Sequence, residues 1–381
     1  MKTNDLKLNL NFLHYVRNQV FNLNTVNGEA KSYFDPIAKR YVLYGSAGNV
    51  KHCIVDYFNG LCENDAYKRI FVFGKAIKDK NGKYQITQGG VATKNILSIG
   101  SSIFGAWDSN GTNNSKETNN NLGGRISSIL NVGGFNPVHP NLVSTSEDGG
   151  VHSGDSSSEI EYTFGNEKFS SIEDFCSSKS ATLEDFESVD SRPMNIYGEN
   201  AKKATGLYAN NIVVDLSRLG VIDLSEFDSS EALKADVESK CEEFGCKVVD
   251  ERYLVYPEEI VLECWEMLVE SLFSWDFTSH RSLHGEPIEH LRVAYSFGNA
   301  QFLNAATTVK LTDESTVLEF NDAEVKEFGV KCFNSKLLEA YHNTEANGME
   351  TSILALEKAK KELLEEGRKK ISENIQNLFS K

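Results

Sequence analysis

The chain has no run of about 18 apolar residues, the length a helix needs to cross a bilayer, so a transmembrane helix is excluded. A signal peptide needs a continuous apolar stretch, and the N-terminus, MKTNDLKLNLNFLHYV, instead alternates apolar with polar residues and reads as a strand. The expected location is therefore the cytoplasm, with no membrane partner. Paired cysteines are missing as well. The seven cysteines (Cys53, Cys62, Cys176, Cys241, Cys246, Cys264, Cys332) are odd in number and contain no C-x-x-C. Only Cys241 and Cys246 lie close together, which fits reduced, mostly buried thiols and not a zinc site. His280 and His284 stand four apart without an evident third ligand, and read as loop histidines. No metal or cofactor is expected.

Catalytic signatures are equally scarce. G-x-S-x-G, G-x-x-x-x-G-K-[ST] and H-E-x-x-H are absent, and so is G-x-G-x-x-G, which removes support for a dinucleotide site. Carboxylate pairs at Glu173-Asp174, Glu184-Asp185 and Glu258-Glu259 fall in acidic loops or at a helix start, where solvation and the helix dipole account for them. Asp35 is the one carboxylate in a basic setting, KSYFDPIAKR. It could orient a ribose 2′-hydroxyl or assist RNA cleavage, or it could simply be the turn residue before Pro36. A small-molecule enzyme is not indicated.

What is present is an ordinary globular composition, 40% hydrophobic and 25% charged over 381 residues, enough to bury a substantial core. The net charge of −16 is unevenly spread. Residues 1–135 carry 16 Lys and Arg against 9 Asp and Glu, while residues 136–381 carry 23 against 46. Charges beyond a Debye length of about 10 Å are screened, so a basic N-terminal third can meet a polyanion despite an acidic remainder.

Patterning predicts strands at 7–20, 41–44, 70–77 (with a hairpin turn at Asn81-Gly82), 206–216, 247–249, 291–297 and 302–311. Helices are predicted at 50–61, 228–244, 257–273 and 351–379. Residues 100–108 read as irregular, 109–121 as a mobile polar loop, and 125–132 as ordered. Residues 260, 262, 265, 268, 269 and 272 are expected on the buried side of the third helix, which Pro257 opens. This interleaving argues an α+β fold, a ferredoxin-like βαββαβ sheet built from 7–20, 50–61, 70–87, 206–216, 258–273 and 291–297. The expected organisation is a core of 1–132 and 205–330 with an insertion around 62–124, an inserted acidic region at 133–204, and a helical tail at 331–381. No internal repeat is visible.

One segment looks like a binding surface. Lys39, Arg40, Lys51 and His52 flank the turn Gly45–Asn49, and the amides of the following helix start would face a phosphate favourably. Tyr33, Phe34, Tyr41 and Tyr44 interleave with these cations, as stacking on bases requires. The same residues could equally be an ordinary helix cap with strand aromatics in the core.

The ordered set of segments resembles the backbone subunits of class 1 (type I-like) CRISPR effector complexes, in the DevR-like branch of the RAMP superfamily. The segments are NLNTVNGEAKSYFDPIAKRYVLYGSAGNVKHCIVDYF (22–58), IFGAWD (103–108), RISSILNVGGFNPVHP (125–140), GLYANNIVVDLSRL (206–219) and the turn His280-Arg281-Ser282. The resemblance implies an RNA-recognition-motif-like palm, an inserted thumb, a finger region, and head-to-tail copies along a CRISPR RNA. The implied partners are that RNA, a target nucleic acid read by base pairing, and other effector subunits. Ser46, Asn49, Lys51 and His52 would contact phosphates, Arg125 would support the RNA backbone, and the loop Phe135–His139 would form the thumb's wedge. Asn22, Asn24, Lys39, Arg40 and Arg281 complete the implied RNA-binding set. In some branches an Asp of the first loop cleaves target RNA, which makes Asp35 the catalytic candidate of an alternative, metal-dependent ribonuclease reading. A virion or other assembly protein is a third reading. The tail 335–381 falls outside the family pattern, and the acidic stretch 159–190 is an unexpected neighbour for RNA.

Overall fold

The structure is a computed structural model that describes residues 6–19, 21, 31–36, 39–78, 84–87, 92–94, 96–108, 124–148, 151–152, 160–164, 167–169, 172–179, 182, 195–196, 201–227, 231–277, 287–298, 326–327, 329–335 and 352–379. The chain begins with β1 (Lys7–Gln19), the hairpin strands β2 (Ser32–Asp35) and β3 (Arg40–Leu43), and α1 (Ala47–Leu61). Next come β4 (Ile70–Lys78), β5 (Tyr84–Thr87), β6 (Ala92–Lys94), α2 (Ile99–Phe104), β7 (Ala106–Asp108) and β8 (Gly124–Ile126). They are followed by β9 (Leu130–Val132), β10 (Asn136–Pro137), β11 (Val143–Asp148), β12 (Val151–His152), β13 (Ile160–Phe164), β14 (Glu167–Phe169), α3 (Ile172–Lys179) and β15 (Asn195–Ile196). The rest comprises β16 (Ala201–Asp215), β17 (Val221–Asp223), α4 (Glu231–Phe244), β18 (Lys247–Val249), β19 (Tyr253–Val255), α5 (Glu258–Ser274), β20 (Glu289–Phe297), β21 (Lys331–Asn334) and α6 (Ser352–Phe379).

The fold is α+β. In the central antiparallel sheet β1 lies between β16 and β20, β21 extends the β20 edge, and β9, β10 and β11 line the far side of β16. The spatial order β20-β1-β16-β9 with α1 and α5 as crossovers is the ferredoxin-like arrangement. Its second strand is not 70–87 as expected. That place is taken by the three short pieces β9, β10 and β11, set end to end along β16. Strands β4 and β5 do pair, but in a second sheet with β6, β7, β8, β13 and β14. Strand propensity says that a segment pairs, not with which partner, and β9 and β10, of three and two residues, leave no periodic signal.

Leu8, Leu10, Phe12 and Val16, at alternate positions of β1, face the helices and share one core with Val50, Ile54 and Phe58 of α1 and Leu268, Val269 and Leu272 of α5. Each such side chain contributes roughly 1.5–3 kcal/mol on burial. Leu13, Leu207 and Leu291 form a small cluster apart from that core. In α5 the fully buried positions include Val261, Cys264, Trp265 and Phe273, while Ile260 and Leu262 are only partly covered. The expected stripe is thus displaced by one residue at the N-terminal end, where Val261 packs against Gly220, and α6 covers a further side of α5 at Trp265. Trp265 Nε1 donates to Leu364 O of α6 at 3.3 Å, and a Cβ at Gly367 would lie 2.3 Å from the Trp265 ring. The tail helix therefore docks on its own chain.

The stretch 100–108, read as irregular, instead holds most of a buried helix, Ile99–Phe104, and then β7. Ser98 caps the helix by accepting the Ser101 amide at 3.1 Å, Ser102 Oγ donates to Ile99 O at 2.7 Å, and Gly105 ends it at φ 80°. Gly and Ser lower helix propensity, and local hydrogen bonds offset the cost once the segment is packed. The expected elements at 109–121 and 302–311, and the turn at 79–83, lie outside the described residues. No helix among the described residues is long and apolar enough to cross a membrane.

Candidate nucleic-acid interface

Residues 32–43 form a hairpin in which Phe34 pairs with Tyr41 and Tyr33 with Val42. Val42 and Leu43 are buried, whereas Tyr33, Phe34 and Tyr41 are 39%, 51% and 67% exposed. Three of the four exposed large hydrophobic side chains among the described residues thus stand on this one hairpin. Phe34 and Tyr41 meet edge to face, with centroids 5.4 Å apart and planes at 68°. Directly opposed residues of an antiparallel pair share a face, so the two rings form one exposed aromatic step. Lys39, at φ 52°, stands exposed at the hairpin's tip end. Arg40 donates to Val143 O at 3.2 Å and so ties the hairpin to β11.

The hairpin leads directly into the turn before α1. Ser46 is the N-cap, its hydroxyl accepting the Asn49 amide at 3.3 Å. Gly48 is exposed, and a Cβ there would meet nothing within 4 Å, so the helix start opens to solvent. Ser46 and Asn49 therefore sit where expected, at an accessible N-terminal turn carrying the positive end of the helix dipole.

Lys51 and His52 are differently engaged. Lys51 Nζ donates to Ser128 Oγ at 2.7 Å and Leu130 O at 3.3 Å, strutting α1 against the 128–130 turn. Burial, reinforced by the neighbouring Arg69 charge, lowers its pKa to about 8. His52 Nε2 lies 3.3 Å from Asp56 Oδ2, one helical turn on. Neither is the free phosphate ligand that spacing suggested: one is drawn into the fold and the other answered by a carboxylate.

Phe135 corrects the wedge expectation. It is fully buried, stacked on Tyr208 at 5.1 Å and packed among Phe21, Trp275 and Phe277. An apolar ring beside a hydrophobic core gains more from burial than from projecting into water. His139 is half-buried, its Nδ1 accepting the Asn141 amide at 3.1 Å to cap a short turn. Arg125 is exposed on β8, in the other sheet. Asn22, Asn24 and Arg281 lie outside the described residues, as do His280 and His284. Asp35 pairs with Arg40 across the hairpin. No cluster of three or more metal-ligating side chains occurs among the described residues.

Sequence reasoning missed a buried polar group beneath this surface. His14 Nε2 lies 2.8 Å from Asn210 Oδ1, and His290 Nδ1 lies 2.9 Å from His14 Nδ1. With Asn210 Oδ1 accepting, His14 carries its proton on Nε2 and accepts the His290 Nδ1–H, so the His14 ring is neutral. Burial and the facing His290 push His14 well below its ordinary pKa, and burial lowers His290 to about 4. A histidine at an inward strand position was the one available signal.

No protein-family profile matches the chain, and no curated protein does. Among solved structures, the chain is similar to one from a "CRISPR RNA-guided surveillance complex, pre-nicking" at 8% identity and TM-score 0.45, covering 84% of this chain and 86% of that one. A second, from a "CRISPR RNA-guided surveillance complex", has 8% identity and TM-score 0.35, covering 84% and 80%.

The geometry by itself describes a surface that can stack on planar rings. It adds cations at the rim and a capped helix start at its edge.

Proposed function

We propose that this chain is a non-catalytic backbone subunit of a Cascade-like, RNA-guided CRISPR effector complex, gripping the CRISPR RNA through the 32–49 segment. The observation that carries the reading is the exposed Phe34–Tyr41 step, an arrangement costly to leave in water and suited to bases. The ordered resemblance of 22–58, 103–108, 125–140 and 206–219 supports it, as does the net positive charge of residues 1–135. In this reading copies assemble head to tail along the RNA in the cytoplasm, beside other effector subunits, and the target is read by base pairing with the guide.

The test is co-expression with a repeat–spacer RNA, followed by size exclusion with absorbance and mass detection. The parent is expected as a large RNA-containing assembly, and the double variant Phe34→Ala/Tyr41→Ala as material depleted of RNA. A parent that stays an RNA-free monomer at low salt overturns the reading. RNA-free material that still assembles replaces it with a structural role. Asp35→Ala is expected to leave bound and target RNA unchanged in length; cutting by the parent that needs a divalent metal and vanishes in Asp35→Ala replaces the subunit with a ribonuclease.

A further inference from the structure

A cavity of about 360 Å³ lies between β8, β17 and the end of α6, well away from the hairpin. The hairpin is tied to Val143, which pairs with Gly206 of β16, whereas the cavity adjoins Ser217, just past the other end of that strand. From Gly206 to Asp215 the strand covers roughly 30 Å at about 3.4 Å per residue. The two surfaces are therefore separate places on one molecule.

The walls come from elements distant in sequence. Arg125 and Ile126 belong to β8, Arg218 follows β16, Val221 and Asp223 lie on β17, Tyr253 on β19, and Leu378 on the last turn of α6. Gly124 makes this meeting possible. It bridges to Phe227, and a Cβ there would sit 2.6 Å from Phe227 Cδ1 and 2.8 Å from Glu226 O. Only a residue without a side chain lets β8 lie that close, and the antiparallel bridge sets Arg125 beside Glu226.

The charges can be sorted by who already holds them. Asp223 accepts Arg252 Nε at 2.9 Å and Nη2 at 2.6 Å, and also the Ser225 amide and hydroxyl at 3.0 and 2.6 Å. Its oxygens are occupied and its charge is answered. Arg218 Nη2 donates to Ser127 O at 3.2 Å, which fixes the guanidinium while leaving most of its five N–H groups. Arg125 is exposed at the mouth. What remains is two guanidiniums, one carboxylate at Glu226, a tyrosine ring, and an apolar floor of Ile126, Val221 and Leu378.

We propose that this cavity binds a nucleoside phosphate. The two arginines that line it, Arg125 and Arg218, offer the paired N–H donors that a phosphate accepts. Glu226 opposes further negative charge and accepts from hydroxyl or amino groups, which disfavours an acidic peptide and suits a ribose or an exocyclic amine. Tyr253 and the aliphatic floor accommodate a flat base. The volume is at the small end of the ligand-pocket range of about 300–1,000 Å³, right for one nucleotide. The source is either a free nucleotide or one residue of an RNA strand, and this site does not depend on the hairpin reading.

The full chain would be titrated by calorimetry with adenosine and uridine 5′-monophosphates, inorganic phosphate, and a short single-stranded oligoribonucleotide. Mononucleotide binding is expected to weaken about tenfold or more in Arg125→Ala, an exposed position where folding is unaffected, and similarly in Gly124→Ala. Lys358→Ala, an exposed position roughly 30 Å along α6 from Leu378, is expected to leave it unchanged. Competition between oligonucleotide and mononucleotide that also needs Arg125 assigns the site to an RNA strand; its absence assigns it to a free nucleotide. The proposal is overturned if no mononucleotide binds at millimolar concentration, if binding ignores Arg125, or if inorganic phosphate binds as tightly as the nucleotides.

Discussion

Gly45 and Phe135 exchange both backbone hydrogen bonds, Gly45 N to Phe135 O at 2.9 Å and Phe135 N to Gly45 O at 2.8 Å. A Cβ on Gly45 would lie 2.9 Å from that of Phe135. The turn that presents Ser46 and Asn49 is thus clamped to a residue anchored in the aromatic core. Gly45→Val is expected to destabilise the fold by roughly 1–3 kcal/mol through overpacking. Urea unfolding measures this, and an unchanged midpoint would show that the clamp is not needed.

Tyr41→Ala and Phe34→Ala remove exposed rings, so each should change stability by no more than about 0.5 kcal/mol. RNA affinity should fall by roughly 1–3 kcal/mol for each ring that stacks on a base. Filter binding or fluorescence anisotropy, run at two salt concentrations, checks both. Loss of binding that disappears when salt is matched would point to charge and not to stacking.

Lys51→Met should behave oppositely, costing stability by about 1–3 kcal/mol because the Ser128 hydroxyl and Leu130 carbonyl each lose a hydrogen bond from a charged donor. RNA binding by the folded fraction should be unaffected. The Lys51 pKa near 8 lies below the ordinary 10.5, so the folded state binds its proton less tightly than the unfolded state does. Its contribution to stability therefore rises as pH goes from about 8 to 10.5. Side-chain NMR of Lys51 should report the midpoint.

The His14–His290 pair makes an acid prediction. Both rings are held neutral in the fold and would protonate near 6.5 when unfolded. The unfolded state binds more protons in this window, so stability is lost as pH falls from about 6.5 towards 4. Trp275, 5.8 Å from His14, is a fluorescent reporter inside the same cluster. His14→Phe should flatten the pH dependence of unfolding, and an equally steep profile would place the acid sensitivity elsewhere.

Gly367→Ala tests the docking of α6. The added methyl would collide with the Trp265 ring, costing roughly 1–3 kcal/mol and loosening the helix from α5. Hydrogen exchange in α6 should quicken selectively; uniform protection would mean that the helix tolerates the shift.

Local chemistry was legible along the chain. The alternation of 7–13, the apolar stripe of Val50, Ile54 and Phe58, the Ser46 cap and the heptad-like spacing of Leu363, Ile371 and Leu378 each depend on residues a turn or two apart. Helix and strand periodicity therefore determined α1, β1, β16, α5 and α6, and with them the α+β class. What those segments touch was another matter. Spacing could not tell whether Tyr33, Phe34 and Tyr41 faced water or the core; the register that pairs Phe34 with Tyr41 and turns Val42 inward decided it. Nor could it show that Lys51 would be spent on Ser128, 77 positions away, or that β9–β11 would displace β4 beside β16. Such choices depend on which surfaces exclude water together. That competition is settled between segments far apart in sequence, and only the tertiary structure expresses its outcome.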